Sequence, residues 1–312
     1  MIIGIDMMGG DLAPLEAVKG VQQYLLSENT KAELQLIGDA PQLEKLLSDF
    51  PVPQNKITLL HAAEEIGMHE HPTRALKEKK QSGIALGFAH LAAGKTDAFI
   101  SAGNSGAMLV GAAHIIQPIA GVLRPTIPSI MPQTNGQTGL LLDVGLNVDC
   151  KPEHLHQFGI MGAMYAQYIL GIEQPKVGLI NIGEESSKGN QLTKMAFELL
   201  QKDKQLHFIG NIEGRDLLTG KTDVMVCDGF TGNILLKFAE SLFGISQHEA
   251  SESRYFQKFN FENYGGTPVL GIRQPVIMGH GISGALAFKN MICLAENIIQ
   301  KKLLREMKLQ MA

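Results

Sequence analysis

Seven times along this chain of 312 residues, a short apolar run ends in a knot of Gly, Asn and Asp, and a helical pattern then begins. The knots are Asp6-Met-Met-Gly9-Gly10-Asp11, Ser101-Ala-Gly103-Asn104-Ser105-Gly106, Asp143-Val-Gly145-Leu-Asn147, Asn181-Ile-Gly183-Glu184-Glu185, Gly210-Asn211-Ile-Glu213-Gly214, Cys227-Asp228-Gly229-Phe-Thr-Gly232-Asn233 and Gly279-His280-Gly281. A strand that hands a Gly-rich loop to a helix is the unit of a parallel sheet. Gly lets backbone approach a ligand closely, and the first turn of the helix offers unpaired N–H groups. Several such loops at one sheet edge make a pocket suited to a small anion.

Strand patterns fall at residues 2–6, 33–37, 56–60, 97–101, 139–143, 176–182, 207–209, 223–227 and 275–278, with helical periodicity between most of them. After Asp11, for instance, Leu15, Val18, Val21 and Leu25 recur at helix spacing, with Asp11 placed to cap and Pro14 tolerated in the first turn. The alternation predicts an α/β fold with a mainly parallel sheet covered on both faces. No low-complexity linker divides the chain, so residues 1–312 are expected to form a single α/β domain. Residues 247–263 are the most polar and least periodic stretch and read as a surface excursion. A long helix is expected over 285–308, ending in Lys301, Lys302, Arg305 and Lys308.

Several classes of function fall away. A net charge of −4 gives no overall attraction for nucleic acid. Cys150, Cys227 and Cys293 are scattered and odd in number, which fits a reducing cytoplasm better than a disulfide framework. The chain opens in a strand pattern without a basic leader, so no signal peptide is expected. Residues 105–123 are apolar but interrupted by His114, Gln117, Pro118 and glycines, which favours a buried helix over a membrane span. Neither G-x-G-x-x-G nor a P-loop occurs. His69 with His71, and His154 with His156, stand two apart and share no helix face, so no metal site is predicted.

Three loops can carry chemistry. Lys188 and Asn190 stand at the start of a helix, where ammonium, amide and backbone N–H groups converge on an anion; the alternative is a solvated loop. Asn233 follows a strand and opens an apolar helix, placed either to donate to an oxyanion or to cap the helix. Gly103, Asn104, Ser105 and Gly106 either wrap a phosphate or make a tight strand-to-helix turn. Cys227 suggests a covalent cysteine nucleophile, but the charge of Asp228 beside it raises a thiol pKa, and buried filler is the commoner use of Cys.

Taken in order, these motifs resemble the bacterial phosphate acyltransferase family, PlsX, across essentially the whole chain. The resemblance rests on Gly4-Ile-Asp-Met-Met-Gly-Gly-Asp-Leu-Ala-Pro14, Ser101-Ala-Gly-Asn-Ser-Gly106, Leu142-Asp-Val-Gly-Leu-Asn-Val-Asp-Cys-Lys-Pro-Glu-His-Leu155 and Asn181-Ile-Gly-Glu-Glu-Ser-Ser-Lys-Gly-Asn-Gln-Leu192. It continues through Phe208-Ile-Gly-Asn-Ile-Glu-Gly-Arg-Asp216, Cys227-Asp-Gly-Phe-Thr-Gly-Asn-Ile-Leu-Leu-Lys237 and Tyr264-Gly-Gly266. It implies a three-layer α/β/α sandwich, similar to phosphotransacetylases and isopropylmalate dehydrogenases, with no metal or nucleotide cofactor.

The implied reaction moves a fatty acyl group from acyl carrier protein to inorganic phosphate, early in phospholipid synthesis. The implied setting is a cytoplasmic homodimer, peripheral at the inner face of the membrane and linked to a membrane glycerol-3-phosphate acyltransferase. For that chemistry Lys188 is assigned to phosphate or the developing oxyanion, and Asn233 to the carbonyl oxygen. Backbone N–H groups of Gly103–Gly106 and Gly232, with Asn190, complete the anion cradle; His280 donates a proton to the departing sulfur, and Asp6 orients the first loop. Arg74, Lys77, Lys79 and Lys80, or Lys301, Lys302, Arg305 and Lys308, are candidates for docking an acidic carrier protein; the alternative for each is a solvated surface charge. Competing readings are a phosphotransacylase using acyl-CoA and an impaired scaffold that binds carrier protein without turnover. The chain departs from the family where His-Gly-Ser-Ser-Asp is usual and His280-Gly281-Ile282-Ser283-Gly284 stands here. It also departs at 240–263, where a long helical projection looks shortened.

Overall fold

The computed structural model describes residues 1–248 and 254–311. Among these residues eleven strands form: β1 (Ile2–Asp6), β2 (Glu33–Gly38), β3 (Ile57–His61), β4 (Ala98–Ser101), β5 (Pro128–Pro132), β6 (Thr138–Leu142), β7 (Lys176–Ile180), β8 (His207–Ile212), β9 (Val224–Val226), β10 (Thr267–Pro268) and β11 (Val276–Met278). The chain divides into two compact units. The first comprises Met1–Pro118 and Phe261–Leu304, the second Ile119–Asn260 and Arg305–Ala312. Each has its own mainly parallel sheet.

In the first unit the strand order is β10-β11-β4-β1-β2-β3, all parallel except β10. β1 lies in the middle, with Ile3 opposite both Leu34 and Ala98. Ile3 and Ile5 are wholly buried, as expected of a strand with neighbours on both sides and helices above and below. The helices Leu15–Leu25 and Ala285–Gln300 pack together over it, so closely that a Cβ on Gly20 would stand 2.4 Å from Cβ of Phe288. The helix Gly83–Ala92 also packs on β1 and β4, with Phe88 edge-on to Phe99 at 5.1 Å.

The second unit has the order β5-β6-β9-β7-β8, with β5 antiparallel at one edge and the rest parallel. The helices Pro152–Tyr168 and Gln191–Lys202 pack against each other, Leu200 reaching to Gly159. The helix Gly229–His248 follows β9.

Four expectations are corrected. β5 is missing from the strand patterns because prolines bound it, and an edge strand tolerates them where a central one does not. The helix expected over 285–308 breaks at Lys302, which takes φ 55, and resumes as Leu303–Met311. Asp11 does not cap the helix Leu15–Leu25; its N–H donates to the Gly281 carbonyl at 2.7 Å, and Pro14 fills the cap position. The stretch 247–263 is not merely a polar excursion: Tyr255 lies edge-on to Phe259 at 5.5 Å, Phe259 is buried, and the Tyr255 hydroxyl donates to the Pro132 carbonyl. Residues 249–253 of that stretch lie outside the described residues.

Candidate active site

Parallel strands release their C-terminal loops at one edge, so the sheet of the second unit presents residues 143–147, 227–233, 181–190 and 213–216 together. Asp143 anchors the first of these. It is fully buried, with Oδ1 accepting from Thr126 Oγ1 at 3.1 Å and Ile127 N–H at 3.0 Å, and Oδ2 accepting from the backbone and side-chain amides of Asn147. Burial pushes its carboxyl above the usual carboxylate range, against the pull of these donors. The helix Gly229–His248 is capped by Asp228, whose carboxylate accepts from the N–H and hydroxyl of Thr231.

Asn233 therefore is not the cap. It lies one turn inside the helix and donates Nδ2–H to the Val144 carbonyl at 3.1 Å. Gly145, at φ +135, keeps this approach open, since a Cβ there would be 3.0 Å from Asn233 Nδ2. The side chain is exposed, and its second N–H finds no acceptor among the described residues. The Gly232 N–H is engaged by the Asp228 carbonyl at 3.0 Å, so it has no proton to offer an anion. What Gly232 contributes is the lack of a side chain: a Cβ would meet the Asp143 carbonyl oxygen at 1.9 Å.

β7 neighbours β9, so the Lys188 loop and the Asn233 loop leave adjacent strands at the same edge. Two asparagines at the ends of β7 and β8, and a lysine from the turn before β9, hold the Lys188 loop. Asn181 Nδ2 donates to the Lys188 carbonyl at 3.2 Å, Asn211 Nδ2 donates to the Glu185 carbonyl at 2.9 Å, and Lys221 pairs with Glu184 and Asp216. Gly189 turns the chain at φ +93, and Asn190 caps the helix Gln191–Lys202 through Thr193 N–H at 2.9 Å. Lys188 itself is exposed and pairs with no carboxylate among the described residues. Asn181, Asn211 and Asp143 all sit in the Gly/Asn/Asp knots but are not among the expected site residues; their position at strand ends is the signal that could have found them.

In the first unit, β1, β4 and β11 are consecutive, and their loops likewise share an edge. Asp6 is buried, accepts from the Ser101 hydroxyl at 2.7 Å, and is pushed up to about 6 by burial. Gly9 lies where a Cβ would be 2.6 Å from both Asp6 Oδ2 and the Gly103 nitrogen. Gly103 N–H donates to Ser101 Oγ at 2.9 Å. The Asn104 side chain is committed to the scaffold: Nδ2 donates to the carbonyls of Gly67, Met68 and Glu70, and Oδ1 caps the helix Ser105–Gly111 through Ala107 N–H. Of this loop, the N–H groups of Ser105 and Gly106, in the first turn of that helix, have no helical partner. His280 is exposed, and its Nδ1 accepts from Ile282 N–H at 3.3 Å, which leaves the proton of a neutral ring on Nε2.

Cys227 is buried, and burial followed by the charges of Asp228 and Asp143 drives its thiol well above the ordinary value, which removes the thiolate an acyl-cysteine route needs. Among the described residues no three His, Cys, Asp or Glu side chains gather as a metal site. In the basic helix Pro72–Glu78 and its flank, Arg74 pairs with Glu78 and Lys79 with Glu70.

Residues 1–253 match the family described as fatty acid synthesis protein. A protein of Thermoanaerobacterium thermosaccharolyticum named phosphate acyltransferase is 42% identical over 319 residues, covering 96% of this chain and 93% of its own. The chain belongs to the phosphate acyltransferase (PlsX) family. A further phosphate acyltransferase, from Caldanaerobacter subterraneus, is 42% identical over 327 residues and covers 99% of this chain and 96% of its own. A phosphotransacetylase from Streptococcus pyogenes superposes with a TM-score of 0.68 at 18% identity, over 96% of this chain and 94% of that one, a likeness of fold. Lys188 and Asn233 lie inside the matched family segment; His280 lies beyond it.

Proposed function

We propose that this protein forms acyl phosphate from fatty acyl-acyl carrier protein and inorganic phosphate, early in phospholipid synthesis. The observation that carries the reading is its 42% identity to a phosphate acyltransferase over almost the full length of both chains. Phosphate at neutral pH is already partly a dianion, so it attacks the thioester carbon without a strong base. A phosphate oxygen bonds to the carbonyl carbon, the oxyanion collapses, the C–S bond breaks and the thiolate departs.

The protein's task is then to hold phosphate against the carbonyl and to stabilise the oxyanion. Lys188 supplies the charge for phosphate. Asn233, its amide oriented by the Val144 carbonyl, offers its remaining N–H to the carbonyl oxygen. In the second unit Asn190 serves the anion and Gly232 gives room; in the first, the N–H groups of Ser105 and Gly106 are open to an anion, and Asp6, Gly103 and Asn104 shape their loop. His280 hands the Nε2 proton to sulfur; a thiol leaves tolerably without help, so this contribution is the smaller one.

Phosphate-dependent acyl hydroxamate formation, with hydroxylamine as trap, tests the reading directly. Lys188→Ala and Asn233→Ala should each lower kcat/KM by about a hundredfold or more. Rates within about threefold of wild type in both folded variants reject the assignment. Running acyl-CoA beside the carrier-protein thioester distinguishes the donor. The same reading includes a homodimer in the cytoplasm that passes acyl phosphate to a membrane glycerol-3-phosphate acyltransferase. No helix among the described residues is long and apolar enough to cross a membrane.

A further inference from the structure

The loop carrying His280 runs into the helix Ala285–Gln300, which has no cap of its own. Gly284 holds the cap position at φ −87 and ψ −175 with no side chain to contribute. The third helical residue, where a Glu would reach back to the cap N–H, is the buried Ala287. The missing acceptors come from distant parts of the chain. Glu262 Oε1 accepts from Gly284 N–H at 2.9 Å, and Glu16 Oε2 accepts from Ala285 N–H at 3.0 Å.

Glu262 does not come alone. Its neighbour Phe261 lies against the His280 ring, with centroids 5.1 Å apart and planes at 34°. The helix grips the same segment from the other side, since Asn290 Nδ2 donates to the carbonyls of Glu262 at 2.8 Å and Asn263 at 3.2 Å. Residues 261–263 are thus fastened at both ends of the loop 280–284, to the imidazole at one and to the helix start at the other. Gly284 is what permits this. A Cβ there would stand 2.5 Å from Glu262 Oε1, so a side chain at 284 and the Glu262 cap exclude one another.

We propose that Glu262 is a positioning residue: by capping the helix across the space left at Gly284, it seats Phe261 on His280 and fixes the plane in which that ring presents Nε2. The use made of His280 rests on the acyltransferase reading above; the seating of its ring does not.

The test pairs a positional readout with a catalytic one. The His280 Cε1–H NMR resonance is followed in wild type, Glu262→Ala, Glu262→Gln, Gly284→Ala and the Glu262→Ala/Gly284→Ala double variant. The phosphate KM and kcat of acyl phosphate formation are measured alongside. Glu262→Ala and Gly284→Ala should each shift and broaden the resonance, and lower kcat about tenfold with phosphate KM held within about twofold, as for a displaced group outside the phosphate site. Glu262→Gln keeps an oxygen for the same N–H and should stay within about threefold of wild type, and the double variant should be no worse than either single one. A resonance unmoved by Glu262→Ala overturns the proposal, and so does a double variant whose losses multiply. If the resonance moves but His280→Ala turns over like wild type, the seating stands and the proton-donor role of His280 falls.

Discussion

Asp6 shows how one buried carboxylate makes stability depend on pH. It sits under the glycines of the first loop with the Ser101 hydroxyl and Met8 N–H as donors, too few to offset the loss of water around it. Its folded pKa of about 6 exceeds the ordinary 3.8, so the folded chain holds that proton more tightly than the unfolded one. The resulting stabilisation is complete below about pH 4 and is lost as pH rises through 6, a total of about 3 kcal/mol at 1.36 kcal/mol per pKa unit. Asp6→Asn is neutral throughout and lacks this loss. Urea unfolding should therefore show the variant gaining on wild type by about 3 kcal/mol between pH 4 and pH 7. Stability curves that stay parallel over that interval would refute it.

The helix Gly229–His248 contains its own experiment on glycine. At Gly232 the helix start is pressed onto the 143–147 loop, and an added Cβ meets a backbone oxygen that has nowhere to go. Gly232→Ala should cost about 1–3 kcal/mol and loosen the Asn233–Val144 bond, with activity falling alongside stability. Gly244, in the same helix, has nothing among the described residues within 4 Å of such a Cβ. Gly244→Ala should raise stability by about 0.5–1 kcal/mol and leave turnover unchanged. Thermal melts of the two variants moving in the same direction would sink the distinction. At this scale the sequence was readable where a pattern has one physical cause. Buried parallel strands such as β1 and β7 announce themselves as apolar runs ending in a Gly/Asn/Asp knot. β5 does not, because its prolines are tolerated only through its place at a sheet edge, which is a fact of tertiary pairing. The break at Lys302 is equally hidden, since a lysine in left-handed backbone carries none of the Gly signal that usually ends a helix. For the site, the knots located the loops, but the division of labour within them depends on where each amide points. Asn104 and Asn233 read alike in sequence, yet one spends its amide on four backbone groups and the other keeps an N–H to give.

For the whole molecule, the feature to be explained is an apolar row left in water on that same helix. Phe230, Ile234, Phe238 and Ile245 are each more than half exposed. At about 100° per residue they fall within an arc of about 80°, one face of the helix. Burying each such side chain is worth about 1.5–3 kcal/mol, so four on one face are a strong incentive to find cover. A second copy of the chain supplies an identical row, and a twofold axis lets each row cover the other. Four side chains are the centre of such an interface and not its whole, because stable dimers bury about 800 Å² per partner. The expected outcome is a dimer by sedimentation at micromolar concentration, shifted to monomer by Ile234→Glu with Phe238→Glu, with the fold intact by circular dichroism. Lipid is the competing cover, and it leaves a different record. A wild-type monomer that floats with anionic vesicles, and no longer does so in the double variant, would make the row a membrane face and end the homodimer reading.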